Sequence, residues 1–118
     1  MSHSMEKDPI TILVTNEGMG KGDLNLQQKL LTSYFRLLIE NNKLPNAICF
    51  YTEGVKLVVE GSPVLDELRS LEEKGVWLGV CQTCLNYYDL RDKVQVGIVG
   101  GMADIIEAQW KAEKVITI

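Results

Sequence analysis

Two cysteines in a C-x-x-C spacing, Cys81-Gln82-Thr83-Cys84, are the side chains of this sequence best suited to chemistry. Such a pair can cycle between dithiol and disulfide. It can supply half of a zinc site, or set a reactive thiol beside a resolving partner. The neighbours narrow the choice. An apolar run, Val76-Trp77-Leu78-Gly79-Val80, precedes Cys81, and a short helix-like stretch, Leu85-Asn86-Tyr87-Tyr88, follows Cys84. That order reads as strand, cysteine, helix. The carboxyl end of a buried strand is where open α/β sheets place their sites. A thiol there also faces free N–H groups at a helix start, which favour an anion and hence a thiolate.

Zinc is the weakest of these readings, because a structural site needs four ligands. The remaining candidates are Cys49 and His3. Cys49 lies inside the apolar run Ala47-Ile48-Cys49-Phe50 and reads as core filler, and His3 lies in an N-terminal tail. No metal is expected. The plain alternative to a reactive pair is two packed, inert thiols.

A second feature is the glycine-rich stretch Gly18-Met19-Gly20-Lys21-Gly22-Asp23. It is not a P-loop, since Gly22 stands where Ser or Thr should follow the lysine, and it lacks the last glycine of the dinucleotide fingerprint. Either it is a flexible strand-to-helix turn, or its amides and Lys21 help hold an anionic sulfur near Cys81. Tyr87 and Tyr88 either pack in the fold, cover the cysteines or meet another subunit. Glu72-Glu73-Lys74 reads as a solvated helix face.

The elements that must position these residues alternate. Residues 10–15 form an apolar, β-branched strand, and Leu26, Leu30, Tyr34, Leu37 and Leu38 recur at helical spacing after the glycine turn. Asn25 and Gln28 read as a capping box for that helix, and Pro45 marks the break after it. Residues 46–51 are a second strand with Gly54 at its turn, while Leu57-Val58-Val59 is too short to assign. Ser62-Pro63 signals a helix start and Gly75 its end, with Val64, Leu65, Leu68 and Leu71 on one face. Residues 76–80 are strand three and residues 95–99 strand four. A helix over 102–113 and a last strand over 115–118 complete the chain. Alternating strands and helices imply crossovers and a mainly parallel, five-stranded sheet with helices on both faces, a three-layer α/β/α sandwich. The loops after strands one, three and four then share one sheet edge. A site there would draw anion-holding groups from Gly20, Lys21, Gly22, Gln82, Thr83, Gly101 and Met102, around Cys81 and Cys84.

Composition sets the outer limits. The 118 residues suit one domain, expected over residues 8–118 behind a flexible tail at residues 1–7. Apolar residues at 46% are enough for a core. A net charge of −4 with no basic cluster speaks against nucleic acid. No apolar stretch approaches the roughly 20 residues that cross a bilayer. With no apolar core of a signal peptide and an odd number of cysteines, a cytoplasmic protein with free thiols is expected.

With these residues in view, the chain resembles the DsrE-like sulfur-relay proteins, most closely the C-terminal domain of the YedF group, sulfurtransferase-like proteins linked to selenium metabolism. The resemblance covers residues 10–118. Its most specific part runs from Gly75-Val76 through Cys81-Gln82-Thr83-Cys84-Leu85-Asn86-Tyr87-Tyr88-Asp89-Leu90 to Val96-Gly97. Gly20-Lys21-Gly22-Asp23, Gly54-Val55-Lys56-Leu57, Glu60-Gly61-Ser62 and Met102 with Asp104-Ile105 support it. It implies an α/β/α fold, homo- or hetero-oligomers, and a cysteine that takes sulfur as a persulfide and passes it on. Cys81 matches the sulfur-accepting position, and Cys84 is shared with a subset of members. Gln82 departs from the usual glycine of C-G-T-C, and Gly100-Gly101-Met102 departs from the usual S-N-M, which bears on site shape and partner choice. The TusA-like domain that precedes this one in YedF proteins is not in the sequence, so any transfer partner is expected to be a separate protein.

The function expected is thus a small cytoplasmic sulfur carrier or sulfurtransferase that needs no cofactor. It would exchange sulfur with donor and acceptor proteins, a TusA-like carrier among them, as a homo-oligomer away from membranes and nucleic acid. A dithiol–disulfide redox protein and a non-catalytic oligomeric binding module are the alternatives.

Overall fold

The computed structural model describes residues 6–118. Of the expected tail, residues 1–5, with His3, lie outside the described residues, and Asp8 already opens the first strand. Five strands form one sheet: β1 (Asp8–Val14), β2 (Pro45–Phe50), β3 (Trp77–Cys81), β4 (Ile98–Gly100) and β5 (Lys114–Thr117). The order is β4-β3-β2-β1-β5, and every pairing is parallel. The helices are α1 (Leu24–Glu40), α2 (Leu65–Glu73), α3 (Gln82–Tyr87) and α4 (Met102–Lys111), with 3-10 segments at Thr52–Val58 and Arg91–Lys93.

The path sets the layers. Steps from β1 to β4 run one way across the sheet, so right-handed crossovers put α1 and α2 on one face. The return from β4 to β5 puts α4 on the other. The strand residues differ accordingly. Thr11 Oγ1 donates to Ala108 O of α4 at 2.9 Å, which fixes that face as the α4 side. By alternation and register, Thr11, Ala47 and Trp77 share it, as do Leu13, Cys49 and Gly79. The α1–α2 side carries bulkier rows, Ile12, Ile48 and Leu78, then Val14, Phe50 and Val80, all buried. Leu31 and Phe35 of α1 and Leu68 and Leu71 of α2 complete that core.

Several boundaries differ from the sequence reading, each for a local reason. The α1 cap is Asp23 rather than Asn25: its carboxylate accepts the Asn25 N–H at 3.1 Å, and Gln28 Nε2 donates to Glu17 O instead. Ser62 caps a turn, its hydroxyl accepting the Val64 N–H, so α2 begins only at Leu65. Residues 57–59 end the 3-10 segment and bond to residues 94–95 through the Val59–Val94 bridge and the Gln95 N–H to Val58 O. That pairing keeps Gln95 and Val96 out of the sheet. Gly97 follows at φ +92°, its N–H held by Glu72, and β4 starts at Ile98. Glu72 is thus a tether as well as a solvated residue. Cys81 is the last residue of β3. The Glu113 N–H bonds to Pro9 O, which ends α4 early and starts β5 at Lys114.

Candidate functional site

The carboxyl edge of the parallel sheet gathers the exits of β1, β2, β3 and β4. Cys81 occupies its middle. It ends β3 with extended backbone and serves as the N-cap of α3, its sulfur accepting the Cys84 N–H at 3.4 Å. Helix α3 has only six residues, so this single amide matters more than any summed helix dipole. Cys81 is 1% exposed, packed in the core cluster with Leu85 and Val80.

Cys84 lies above it, one turn on and half-buried. The two sulfurs are 2.9 Å apart, with the Cys84 thiol donating to Cys81. A third group completes the arrangement: the Thr52 N–H donates to Cys84 Sγ at 3.1 Å. Burial first, then the hydrogen bond given to Cys81, push the Cys84 thiol above its ordinary pKa. Cys84 therefore keeps its proton at neutral pH and presents it to Cys81.

Thr52 has a left-handed backbone, φ +51°, unusual for a β-branched residue. The chain around it is held by backbone bonds from Tyr51 N–H to Val14 O and from Gly54 N–H to Tyr51 O. Gly54 lies so close to the Val14 carbonyl that a Cβ there would overlap it. The end of β1 thus pins the exit of β2, and that exit aims an amide at Cys84.

Beside the thiols is a polar cluster. Lys56 Nζ pairs with Glu53 at 2.8 Å and with Glu17 at 3.9 Å, and lies 4.6 Å from the Tyr88 ring centre. Tyr88 OH donates to Glu53 at 3.0 Å. The Lys56 and Tyr88 hydrogen bonds hold the Glu53 carboxyl below its usual pKa, and Glu53 in turn raises Lys56.

The other expected site residues distribute unevenly. Gln82 and Thr83 are exposed on the first turn of α3, between the thiols. Gly100 pairs with Cys81 in the sheet, which brings Gly101 and Met102 to the same edge. The Gly101 N–H is already taken by the Asp104 carboxylate at 3.1 Å, and Met102 is exposed. Gly20, Lys21 and Gly22 form an exposed turn at the β1 exit. The polar contacts of this turn are internal: Asn16 and Gln27 side-chain amides both donate to Gly20 O, at 3.0 and 2.7 Å. Cys49 is buried on the α4 side of β2, its thiol raised to about 11 by desolvation. Thr52 and Glu53 had no place in the sequence reading, and Lys56 entered it only within the Gly54-Val55-Lys56-Leu57 stretch that supports the family resemblance. Gly54 also marked the turn that carries them.

The family model for the DsrE/DsrF-like family matches residues 8–118. The chain belongs to the DsrE/DsrF-like family. That family is generally one of sulfur relay. No curated protein matches the chain in sequence. Solved structures share its fold. The ychN protein from E. coli is 18% identical with a TM-score of 0.68, over 95% of this chain and 99% of its own. A protein of unknown function from Methanobacterium thermoautotrophicum, MTH1491, is 18% identical with a TM-score of 0.68, over 92% and 97%. BT1422, a conserved protein of unknown function from Bacteroides thetaiotaomicron, is 20% identical with a TM-score of 0.68, over 100% of both. Among the described residues, no helix is long and apolar enough to cross a membrane.

Proposed function

We propose that this chain is a cytoplasmic sulfur carrier of the YedF-like branch of its family, with residues 8–118 as one domain and Cys81 and Cys84 as its working thiols. The observation that carries the reading is the shared hydrogen-bond chain from Thr52 N–H to Cys84 sulfur to Cys81 sulfur. The Cys81 thiolate attacks the outer sulfur of a donor persulfide. A new S–S bond forms at Cys81, the donor S–S bond breaks, and the donor leaves as thiolate. Cys81 then carries the sulfur as Cys81–S–S⁻, in reach of the Cys84 N–H. An acceptor thiolate takes the outer sulfur and restores Cys81. Alternatively Cys84, once deprotonated, attacks the inner sulfur, expels sulfide and closes a disulfide. Gln82 and Thr83 flank the incoming sulfur, and Gly101 and Met102 border it. The Gly20-Lys21-Gly22 turn meets the partner farther out. Neither metal nor organic cofactor enters these steps.

Cys84 covers Cys81, so the Cys84 side chain must turn aside before a donor can reach the deeper thiol. The sulfur separation also favours a second reading, a dithiol redox protein. Closing 2.9 Å to a bond of about 2.05 Å requires only a small shift.

Intact-protein mass spectrometry after exposure to a persulfide donor separates the two. The relay reading expects added sulfur on the parent, none on Cys81→Ser, and longer-lived sulfur on Cys84→Ser. Loss of two hydrogens on the parent, with no added sulfur even on Cys84→Ser, favours the redox protein. Loading of Cys81→Ser but not Cys84→Ser swaps the two roles. Inert thiols in every variant leave only a binding module.

A further inference from the structure

Beside the thiols an open groove of about 580 Å³ runs along the same sheet edge, between the start of α1, the 3-10 segment and Tyr88. Its apolar lining is Leu24, Val59, Pro63 and Leu90. Its charged groups are Glu17 and Glu60, with Lys56 between Glu17 and Glu53. Three carboxylates therefore stand against one ammonium, which pairs with two of them, Glu53 and Glu17. That ammonium is paired with Glu53 and lies over the Tyr88 ring, so it offers little to a visitor. The groove presents surplus negative charge above an apolar strip.

Two hydrogen-bonded segments join the groove to the site. The 3-10 segment that forms one wall begins at Thr52, whose amide binds Cys84. Tyr88, on the other wall, is one turn beyond Cys84, its N–H bonded to Cys84 O at 3.1 Å. A peptide lying along the groove would therefore bring its end to the half-exposed sulfur.

We propose that this groove docks the thiol-bearing segment of the protein that exchanges sulfur with this chain, and that this segment is extended and rich in Lys or Arg. The inference rests on the thiol-exchange reading above. Apolar stems of lysine and arginine cover Leu24 and Pro63, while their charged ends meet Glu17 and Glu60. The charge steers encounter and sets which partner reaches the thiols.

The test uses three cysteine peptides of equal length, flanked by Lys, by Glu or by neutral residues, each activated as a mixed disulfide with 5-thio-2-nitrobenzoate. Attack of a protein thiolate on the peptide sulfur forms a protein–peptide disulfide and expels the coloured thiolate, which reports the rate. At low salt the Lys peptide is expected to react about tenfold faster than the Glu peptide, and at about 0.5 M salt the difference should shrink to within about twofold. Glu17→Gln with Glu60→Gln should level the two rates, and Glu17→Lys with Glu60→Lys should invert their order, with far-UV circular dichroism confirming the fold. A Lys preference that survives both double variants overturns the groove as its source. Equal rates for all three peptides on the parent protein overturn the groove alone. Failure of every peptide to react overturns the groove together with the thiol-exchange reading.

Discussion

At Cys49 burial acts alone, and at Cys84 it acts with a neighbour. Cys49 has no exposed surface, and desolvation holds its thiol at about 11 against an ordinary value of 9.0. The folded state therefore keeps this proton where the unfolded chain would release it. The stability this provides is complete below the unfolded pKa and is lost as pH rises through the folded one. Chemical denaturation followed from pH 9 to pH 11 should show stability falling by about 2 kcal/mol, with Cys49→Ala less stable at neutral pH but shallower in slope. An equal slope in the variant would place the effect on other groups. Cys84 gives a second residue-scale expectation. Its raised thiol makes sulfide release from a Cys81 persulfide slow at neutral pH and faster as pH rises. Mass-spectrometric lifetimes of the loaded protein should shorten with pH in the parent and change less in Cys84→Ser. Matching pH profiles would remove Cys84 from the release step.

At the scale of elements, the site depends on close approaches that glycine permits. On the α4 side of β3, the Trp77 ring lies over Gly79 in the space a Cβ would need. This packing fills a sheet face that otherwise carries Leu13 and the smaller Thr11, Ala47 and Cys49. Gly79→Ala must displace the indole or bend β3, two residues before Cys81, and should cost about 1–3 kcal/mol. Thermal unfolding would measure the loss, and Trp77 fluorescence should change with it, read in a Trp110→Phe background. An unchanged melting temperature would show that the ring moves freely. Thr52 tells a related story at the β2 exit. Its left-handed backbone costs on the order of 1 kcal/mol and is sustained by the bonds among Tyr51, Gly54 and Val14. The strain coincides with the amide that binds Cys84.

At the scale of the whole molecule, α4 presents Met102, Ile106 and Trp110 to solvent, four residues apart along one stripe, with Trp110 84% exposed. Ile98 on the edge strand β4 and Val115 on β5 are exposed as well. Such a run on a small domain is what a second copy would cover. We expect a homo-oligomer at micromolar concentration by light scattering, and a smaller species for Ile106→Glu with Trp110→Glu. A parent protein that scatters as a monomer would sink that expectation. Tyr87, 83% exposed on α3, stacks edge-on with Tyr88 at 5.2 Å and lies at the thiol edge rather than on the α4 stripe.

The alternation of apolar runs with helical spacing sufficed for the α/β class, the number of strands and the place of Cys81 at a strand end. These are properties of local pattern, since burial of a strand and the cap of the following helix are written in neighbouring residues. The C-x-x-C motif likewise implied two thiols in reach of each other, and their sulfurs lie 2.9 Å apart. The order of burial within the motif came only with the tertiary structure. Cys81 lies beneath Cys84 because α3 folds back against the β2 exit, a contact across 32 positions of sequence. The bond from Tyr51 N–H to Val14 O beside the left-handed Thr52, the Lys56–Glu17 pair, the Tyr88–Glu53 bond and the pairing that removes Gln95 and Val96 from the sheet are also long-range. No composition or periodicity encodes them, because each joins segments that meet only once the parallel sheet has set their exits side by side.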